Sequence, residues 1–193
     1  MMIIKASVFD LDGVIVDTAK YHFLAWKRLA DQLNINFTEK DNERLKGVNR
    51  WYVEYISKMT PDEILPGSIE FINELKDAGI KTALGSASKN TPLIIKRVGM
   101  EKLFDAVADG NTVKKAKPDP EVFLVAARMM NIEPRHCIVF EDAVAGVKAA
   151  LNAGMLCVGI GSPEILTEAH EVVSGLDKMN IEKLEEIEKN WRV

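Results

Sequence analysis

Five short runs rich in apolar and β-branched residues, at 4–9, 82–85, 106–108, 137–140 and 157–160, are separated by stretches with helical spacing. The runs are near-continuous in apolar character, as expected of strands covered on both faces, and covered strands are typical of parallel sheets. The intervening segments 66–78, 91–98, 120–130 and 143–152 carry the helical period, and Gly79, Gly99 and Gly154 fall where helix C-caps are expected. The pattern predicts an α/β fold with a Rossmann-like parallel-sheet core. In such sheets ligands bind beyond the carboxyl ends of the strands, so chemistry is sought there first.

Residues 19–64 break the alternation and show no strand. Segment 19–33 sets Phe23, Trp26, Leu29, Ala30 and Leu33 on one helical face, Thr38 can N-cap a helix reaching about Lys46, and 52–59 reads as a third helix. The chain therefore divides into a core of 1–18 and 65–193 with a small helical insert at 19–64. The tail at 181–191 is rich in Glu and Lys and reads as a solvated surface helix. Cys137 and Cys157 each sit inside an apolar run, as reduced core thiols in neighbouring strands do.

With 25 Lys and Arg against 29 Asp and Glu, the net charge of -4 offers no long-range attraction for nucleic acid or an anionic membrane. No apolar stretch approaches the roughly 20 residues of a membrane helix, and the first residues lack a signal-peptide cleavage pattern. A cytoplasmic protein is expected.

The strand ends carry an unusual set of polar residues. Asp10 and Asp12, in VFDLDG, share a face if the strand continues through them. The second run leads into Ser86-Ala87-Ser88-Lys89-Asn90, a hydroxyl and backbone N–H groups entering a helix. Lys117-Pro118 follows the third run, and Glu141-Asp142 the fourth. Singly, each has a structural explanation: turn-forming aspartates, an N-cap at Ser88, Asn90 or Asp142, a surface lysine. Four consecutive strand ends offering two Asp, a Ser, a Lys and an acidic pair fit phosphoryl transfer better. There a carboxylate attacks phosphorus, a lysine and Mg²⁺ neutralise charge, hard oxygens hold the ion, and a second carboxylate moves the proton.

DLDGVIVDT, SASKN, KP and EDAVAGVKAALNAG together resemble, in order and across most of the chain, the four motifs of the haloacid dehalogenase superfamily. The resemblance implies Asp10 as the nucleophile that forms an aspartyl-phosphate and Asp12 as general acid/base. Ser86 and Lys117 would hold the phosphoryl group. Mg²⁺ would be bound by Asp10, the backbone carbonyl of Asp12, Glu141 and Asp142. The insert would be a helical cap.

Within the superfamily, YHFLAW, LKGVNR and the full SASKN are similar to the β-phosphoglucomutase family. That likeness assigns His22 to positioning the acid/base and Arg50 to the phosphate that is not transferred. Trp26, Lys46, Gly47 and Val48 would be cap residues reaching the sugar, with Ala87, Ser88, Lys89 and Asn90 contacting phosphate from the core side. Taken alone, His22 and Trp26 are helix-face packing and Arg50 is a surface charge.

The expected activity is interconversion of β-glucose 1-phosphate and glucose 6-phosphate, with glucose 1,6-bisphosphate as phosphorylating activator. A Mg²⁺-dependent sugar-phosphate phosphatase with the same core chemistry is the alternative. A silent phosphosugar binder is a third reading, disfavoured by the intact motif residues. In the family the cap continues well past the position of Arg50, whereas here WYVEYISKMTPDEILPG follows almost at once. The cap is read as shortened, which bears on how well water is excluded. A monomer is expected, with dimerisation or cap exchange as the alternative if lost helices expose apolar surface.

Overall fold

The computed structural model describes residues 2–34, 36, 38 and 52–191. Strands β1 (Ala6–Phe9), β2 (Lys81–Gly85), β3 (Ala106–Ala108), β4 (Cys137–Glu141), β5 (Leu156–Ile160) and β6 (Glu171–Val173) form one parallel sheet. Its order is β3-β2-β1-β4-β5-β6. The chain thus builds outward from β1 in one direction and then returns to build from β4 in the other, which leaves a crevice beyond the ends of these two strands.

Helices α1 (Ala19–Gln32), α2 (Tyr52–Ile56), α3 (Ser68–Asp77), α4 (Thr91–Arg97), α5 (Glu121–Met129), α6 (Val144–Asn152) and α7 (Ile181–Trp191) accompany the sheet. Both sheet faces are covered, as the near-continuous apolar strands predicted. On one face Phe9 and Phe140 stack with ring centroids 4.8 Å apart, and Phe71 of α3 meets both edge-on. Rings in these arrangements contribute beyond the area they bury, by about 0.5–1.5 kcal/mol a pair. On the other face Val8 and Val139 pack with Phe123 of α5 and Val147 of α6. The first apolar cluster also takes in Tyr21 and Ala25 of α1, Ile56 of α2 and Met59, so the two helices following β1 share the core of the sheet.

Gly79, Gly99 and Gly154 have positive φ after α3, α4 and α6, as their sequence positions suggested. The helix expected from Thr38 to about Lys46 lies outside the described residues, apart from Thr38 itself. Strand β6 was not anticipated: it is three half-buried residues beginning with Glu171, too short and too polar to register as a run. The tail helix needs a correction too. α7 buries Leu184, Ile187 and Glu188, and the Glu188 carboxylate accepts the N–H groups of Ile3 and Ile4, the latter at 2.8 Å. Its charged face is solvated, while its apolar stripe closes the first core cluster.

Both thiols are free and buried in adjacent strands β4 and β5, and burial pushes each up to about 12. Among the described residues no helix is long and apolar enough to cross a membrane.

One core group is poorly satisfied. Ser7 of β1 is fully buried, and among the described residues its hydroxyl has no hydrogen-bond partner. An unpaired buried hydroxyl costs roughly 1–3 kcal/mol. Ser7→Ala is therefore expected to raise stability by about 1 kcal/mol, seen as a higher urea midpoint at unchanged slope. A lower midpoint would mean that the hydroxyl is satisfied after all.

Candidate active site

β1 ends at Phe9, so Asp10 and Asp12 lie just beyond the strand. Their side chains are brought together by a turn: the Asp12 N–H donates to Asp10 Oδ2 at 3.0 Å. This corrects the strand-alternation argument while keeping its outcome. Gly13 follows with φ of 82°, in the left-handed region, and a Cβ there would overlap the Asp142 carboxylate. Glycine at 13 thus lets the loop after β1 close against the loop after β4.

Lys117 reaches the same point from the loop before α5. Its ammonium is 2.5 Å from Asp10 Oδ1 and 2.5 Å from Glu141 Oε1, and it lies over the Phe123 ring at 4.7 Å from the centroid. All three charged side chains are at most 10% exposed, so the pairing is poorly screened by water. Burial disfavours the charge on Lys117, but Asp10 and Glu141 more than offset that and hold its pKa above the ordinary lysine value. Burial pushes Glu141 upward. Glu141 Oε2 also accepts the Ala143 N–H at 2.8 Å, and a Cβ on Gly146 would overlap this carboxylate, so a glycine in the first turn of α6 makes room for it. α6 itself begins at Val144 with Ala143 as cap, which leaves Asp142 out of the capping role that was its structural alternative.

Asp12 is treated differently from Asp10. Its Oδ1 accepts the Thr18 hydroxyl at 2.5 Å, and burial, followed by the charge of Asp10, pushes its carboxyl up to about 7. Asp142 adds to that rise. Of the two neighbouring carboxylates, Asp10 is paired with a cation, and Asp12 is the one inclined to keep a proton.

Ser86 directly follows β2, the strand paired with β1. It is buried, its N–H pairs with the Ala108 carbonyl at 3.0 Å, and its hydroxyl accepts the Ser88 N–H at 3.1 Å. Ser88 Oγ accepts the Asn90 N–H at 3.2 Å. Neither Ser88 nor Asn90 supplies a side-chain cap to α4. The N–H groups of Ala87 and Lys89 are taken by no partner among the described residues and lie on exposed residues, which suits donation to a phosphate.

His22 and Trp26 lie one turn apart on α1, each half-buried. Lys46, Gly47, Val48 and Arg50 lie outside the described residues.

The sequence reading missed three polar contributors. Thr18, the last residue of DLDGVIVDT, holds the Asp12 carboxylate through its hydroxyl. Asp109, buried after β3, takes the N–H groups of Asn111 and Thr112 at 2.8 and 3.1 Å and thereby shapes the loop beside Ser88. Glu63, in the turn where the chain returns to the core, accepts Lys20 Nζ at 2.8 Å, the Tyr21 hydroxyl at 2.6 Å and the Thr60 N–H at 2.7 Å. Through these it ties down the first turn of α1, directly after Thr18.

Burial alone would raise Glu63, but Lys20, Tyr21 and Thr60 hold it at about 2 against an ordinary 4.5. A carboxylate depressed on folding stabilises fully above the ordinary value, and that stability drains as pH falls toward the depressed one. Between about pH 6 and about pH 3 the wild type is expected to lose about 2 kcal/mol more unfolding free energy than Glu63→Gln. Parallel losses in urea titrations would show that Glu63 is not held down.

The donor set suits a magnesium ion. Asp10, Glu141 and Asp142 are hard oxygen donors, three carboxylates against the single ammonium of Lys117. Among the described residues no three acidic, histidine or cysteine side chains are gathered closely enough to make a metal cage by themselves. The Lys117 ammonium stands between two of the donors.

A model of haloacid dehalogenase-like hydrolases matches residues 4–154. The chain belongs to the haloacid dehalogenase-like hydrolase family. It is 39% identical to a β-phosphoglucomutase of Bacillus subtilis, covering 98% of this chain and 97% of that protein. A β-phosphoglucomutase structure from Clostridium difficile superposes with a TM-score of 0.90 at 35% identity, covering 98% of this chain and 99% of that one. A phosphorylated carbohydrates phosphatase of Thermotoga maritima is 31% identical, over 78% of this chain and 82% of that protein. The protein is accordingly a phosphoryl-transfer enzyme of this family. The alignment with the Bacillus protein spans 220 positions, more than the 193 residues here, so that relative carries positions with no counterpart in this chain.

Proposed function

We propose that the protein is a sugar-phosphate mutase that interconverts β-glucose 1-phosphate and glucose 6-phosphate. The observation that carries the reading is the pairing of Asp10, gripped by Lys117, with Asp12, held by Thr18 beside it. Asp10 attacks the phosphorus of a phosphorylated sugar, and the P–O bond to the sugar breaks. Asp12 gives its proton to the departing sugar oxygen, leaving an aspartyl-phosphate. With the enzyme primed in this way by glucose 1,6-bisphosphate, β-glucose 1-phosphate presents its C6 hydroxyl, Asp12 takes that proton, and the new P–O bond forms as the bond to Asp10 breaks. The bisphosphate so formed turns and gives its C1 phosphoryl group to Asp10, and with the Asp12 proton on its C1 oxygen it leaves as glucose 6-phosphate.

Lys117, the Ser86 hydroxyl and the Ala87 N–H hold the phosphoryl oxygens in this scheme. Bound Mg²⁺, held by Asp10, Glu141, Asp142 and the Asp12 carbonyl, would reduce repulsion between the attacking carboxylate and the phosphate. Likeness to named β-phosphoglucomutases over nearly the whole chain supports glucose phosphates as substrates and glucose 1,6-bisphosphate as activator. His22 and Trp26 on α1, with Lys46, Gly47, Val48 and Arg50, are proposed to read the sugar and its second phosphate. The packing of α1 and α2 into the core cluster supports an insert that stays seated over the crevice.

The second reading is a sugar-phosphate phosphatase. It is favoured by the phosphatase relative and by the positions this chain lacks against the Bacillus mutase, since a smaller cover admits water to the aspartyl-phosphate. A coupled assay separates them: β-glucose 1-phosphate with Mg²⁺ and a trace of glucose 1,6-bisphosphate, following glucose 6-phosphate and free phosphate together. Glucose 6-phosphate without phosphate release is expected. Phosphate release alone would make the protein a phosphatase, and neither product would refute both.

A further inference from the structure

The loop after β3 grips the phosphate-facing loop after β2 from behind. The Gly110 N–H donates to the Ser88 carbonyl at 3.2 Å. The Asn111 side-chain amide donates to the Lys89 carbonyl at 2.9 Å and to Asp109 Oδ2 at 3.2 Å. With two acceptors on the amide nitrogen, the orientation of the Asn111 side chain is fixed by its surroundings. Both carbonyls flanking Lys89 are therefore turned toward the 109–112 loop.

In a trans peptide the N–H points opposite the C=O. The Ser88 carbonyl faces Gly110, so the Lys89 N–H faces away from that loop, and among the described residues nothing takes it. The spacing is tight. A Cβ on Gly110 would stand 2.5 Å from the Ala87 carbonyl oxygen and 3.0 Å from the Lys89 nitrogen, so any larger residue forces the two loops apart.

We propose that Asn111, with Gly110, is a positioning residue that fixes the two peptide planes around Lys89 and so presents Lys89 to the phosphorylated substrate. The proposal rests on the sugar-phosphate reading above. Asn111 itself touches no reacting atom. It acts through the Lys89 backbone, and its effect falls on affinity for the sugar phosphate, leaving the bond-making at Asp10 unchanged. The Asn111 side chain is exposed, so its removal leaves the core untouched.

Calorimetric titration with glucose 6-phosphate, on wild type, Asn111→Ala and Gly110→Ala, tests this independently of turnover. One hydrogen bond to the carbonyl is worth a change of roughly three- to tenfold, so Asn111→Ala is expected to raise Kd, and KM for β-glucose 1-phosphate, by that factor. Its kcat should stay within about twofold, and so should its use of p-nitrophenyl phosphate, because uniform binding alone is lost. Gly110→Ala should weaken binding further, with the thermal midpoint of Asn111→Ala unmoved. An unchanged Kd in Asn111→Ala overturns the positioning role, as does an equal loss on p-nitrophenyl phosphate. A wild type that binds no glucose 6-phosphate overturns this proposal together with the sugar-phosphate reading. Tight binding without turnover, weakened in Asn111→Ala, supports the positioning role while refuting the proposed reaction.

Discussion

Asp10→Asn is expected to keep the fold and to lose roughly a thousandfold or more of its turnover. Both oxygens of Asp10 already face donors, Oδ1 the Lys117 ammonium and Oδ2 the Asp12 N–H. A carboxamide must set its own N–H groups against one of them, and it is a poor nucleophile toward phosphorus. The fold should survive because the group removed is one charge at a loop, and an amide of the same shape replaces it. Steady-state turnover of p-nitrophenyl phosphate measures the loss, and intact mass after brief exposure to substrate reports the covalent phosphate. Wild-type rates in the variant would remove Asp10 from the covalent step and leave water as the attacking group.

The second large effect concerns stability. Lys117→Met leaves Asp10 and Glu141 facing one another with no cation between them, in a place where both are at least 90% shielded from water. Removing one partner of a buried ion pair costs roughly 3–5 kcal/mol, a large share of the total stability of a domain. Glu141, already pushed up by burial, can take a proton in response, which limits the loss and shifts it to higher pH. Turnover should vanish as well, since nothing then neutralises the phosphoryl oxygens from that side. Guanidinium unfolding near neutral pH is the measurement. An unchanged midpoint would mean that the two carboxylates do not depend on the ammonium.

Most of the sheet was legible because buried parallel strands must be apolar almost throughout. The run at 106–108 matches β3, and the other four expected strands differ from the observed ones only at their ends. The strand-end residues were legible for a related reason: charged groups at the ends of apolar strands stand out against their surroundings. What stayed hidden depends on partners far away in the chain. Glu188 sits in a tail whose Glu and Lys content suggests solvent, yet its carboxylate serves an N–H 185 residues away. Glu63 follows Thr60-Pro61-Asp62 and looks like one more charged turn residue until Lys20 and Tyr21 arrive. Gly110-Asn111 reads as a simple turn, and only the neighbouring loop gives it a second role. β6 lacked the length to make a signal.

The position of β1 has a consequence for how the protein is made. The strand that leads to Asp10 precedes the other described strands in the chain but lies in the middle of the sheet, and one of its neighbours, β4, begins only at Cys137. Pairing across that separation is slow and comes late, after most of the chain has left the ribosome. The Glu188 contact to Ile3 and Ile4 comes later still. A chain cut off before β4 therefore carries Asp10 without Glu141, Asp142 or a seated strand beneath it. Asp10 and the Lys117 ammonium can then meet without Glu141, the second carboxylate of the cluster, so the cluster is complete only once both sides of the sheet are paired.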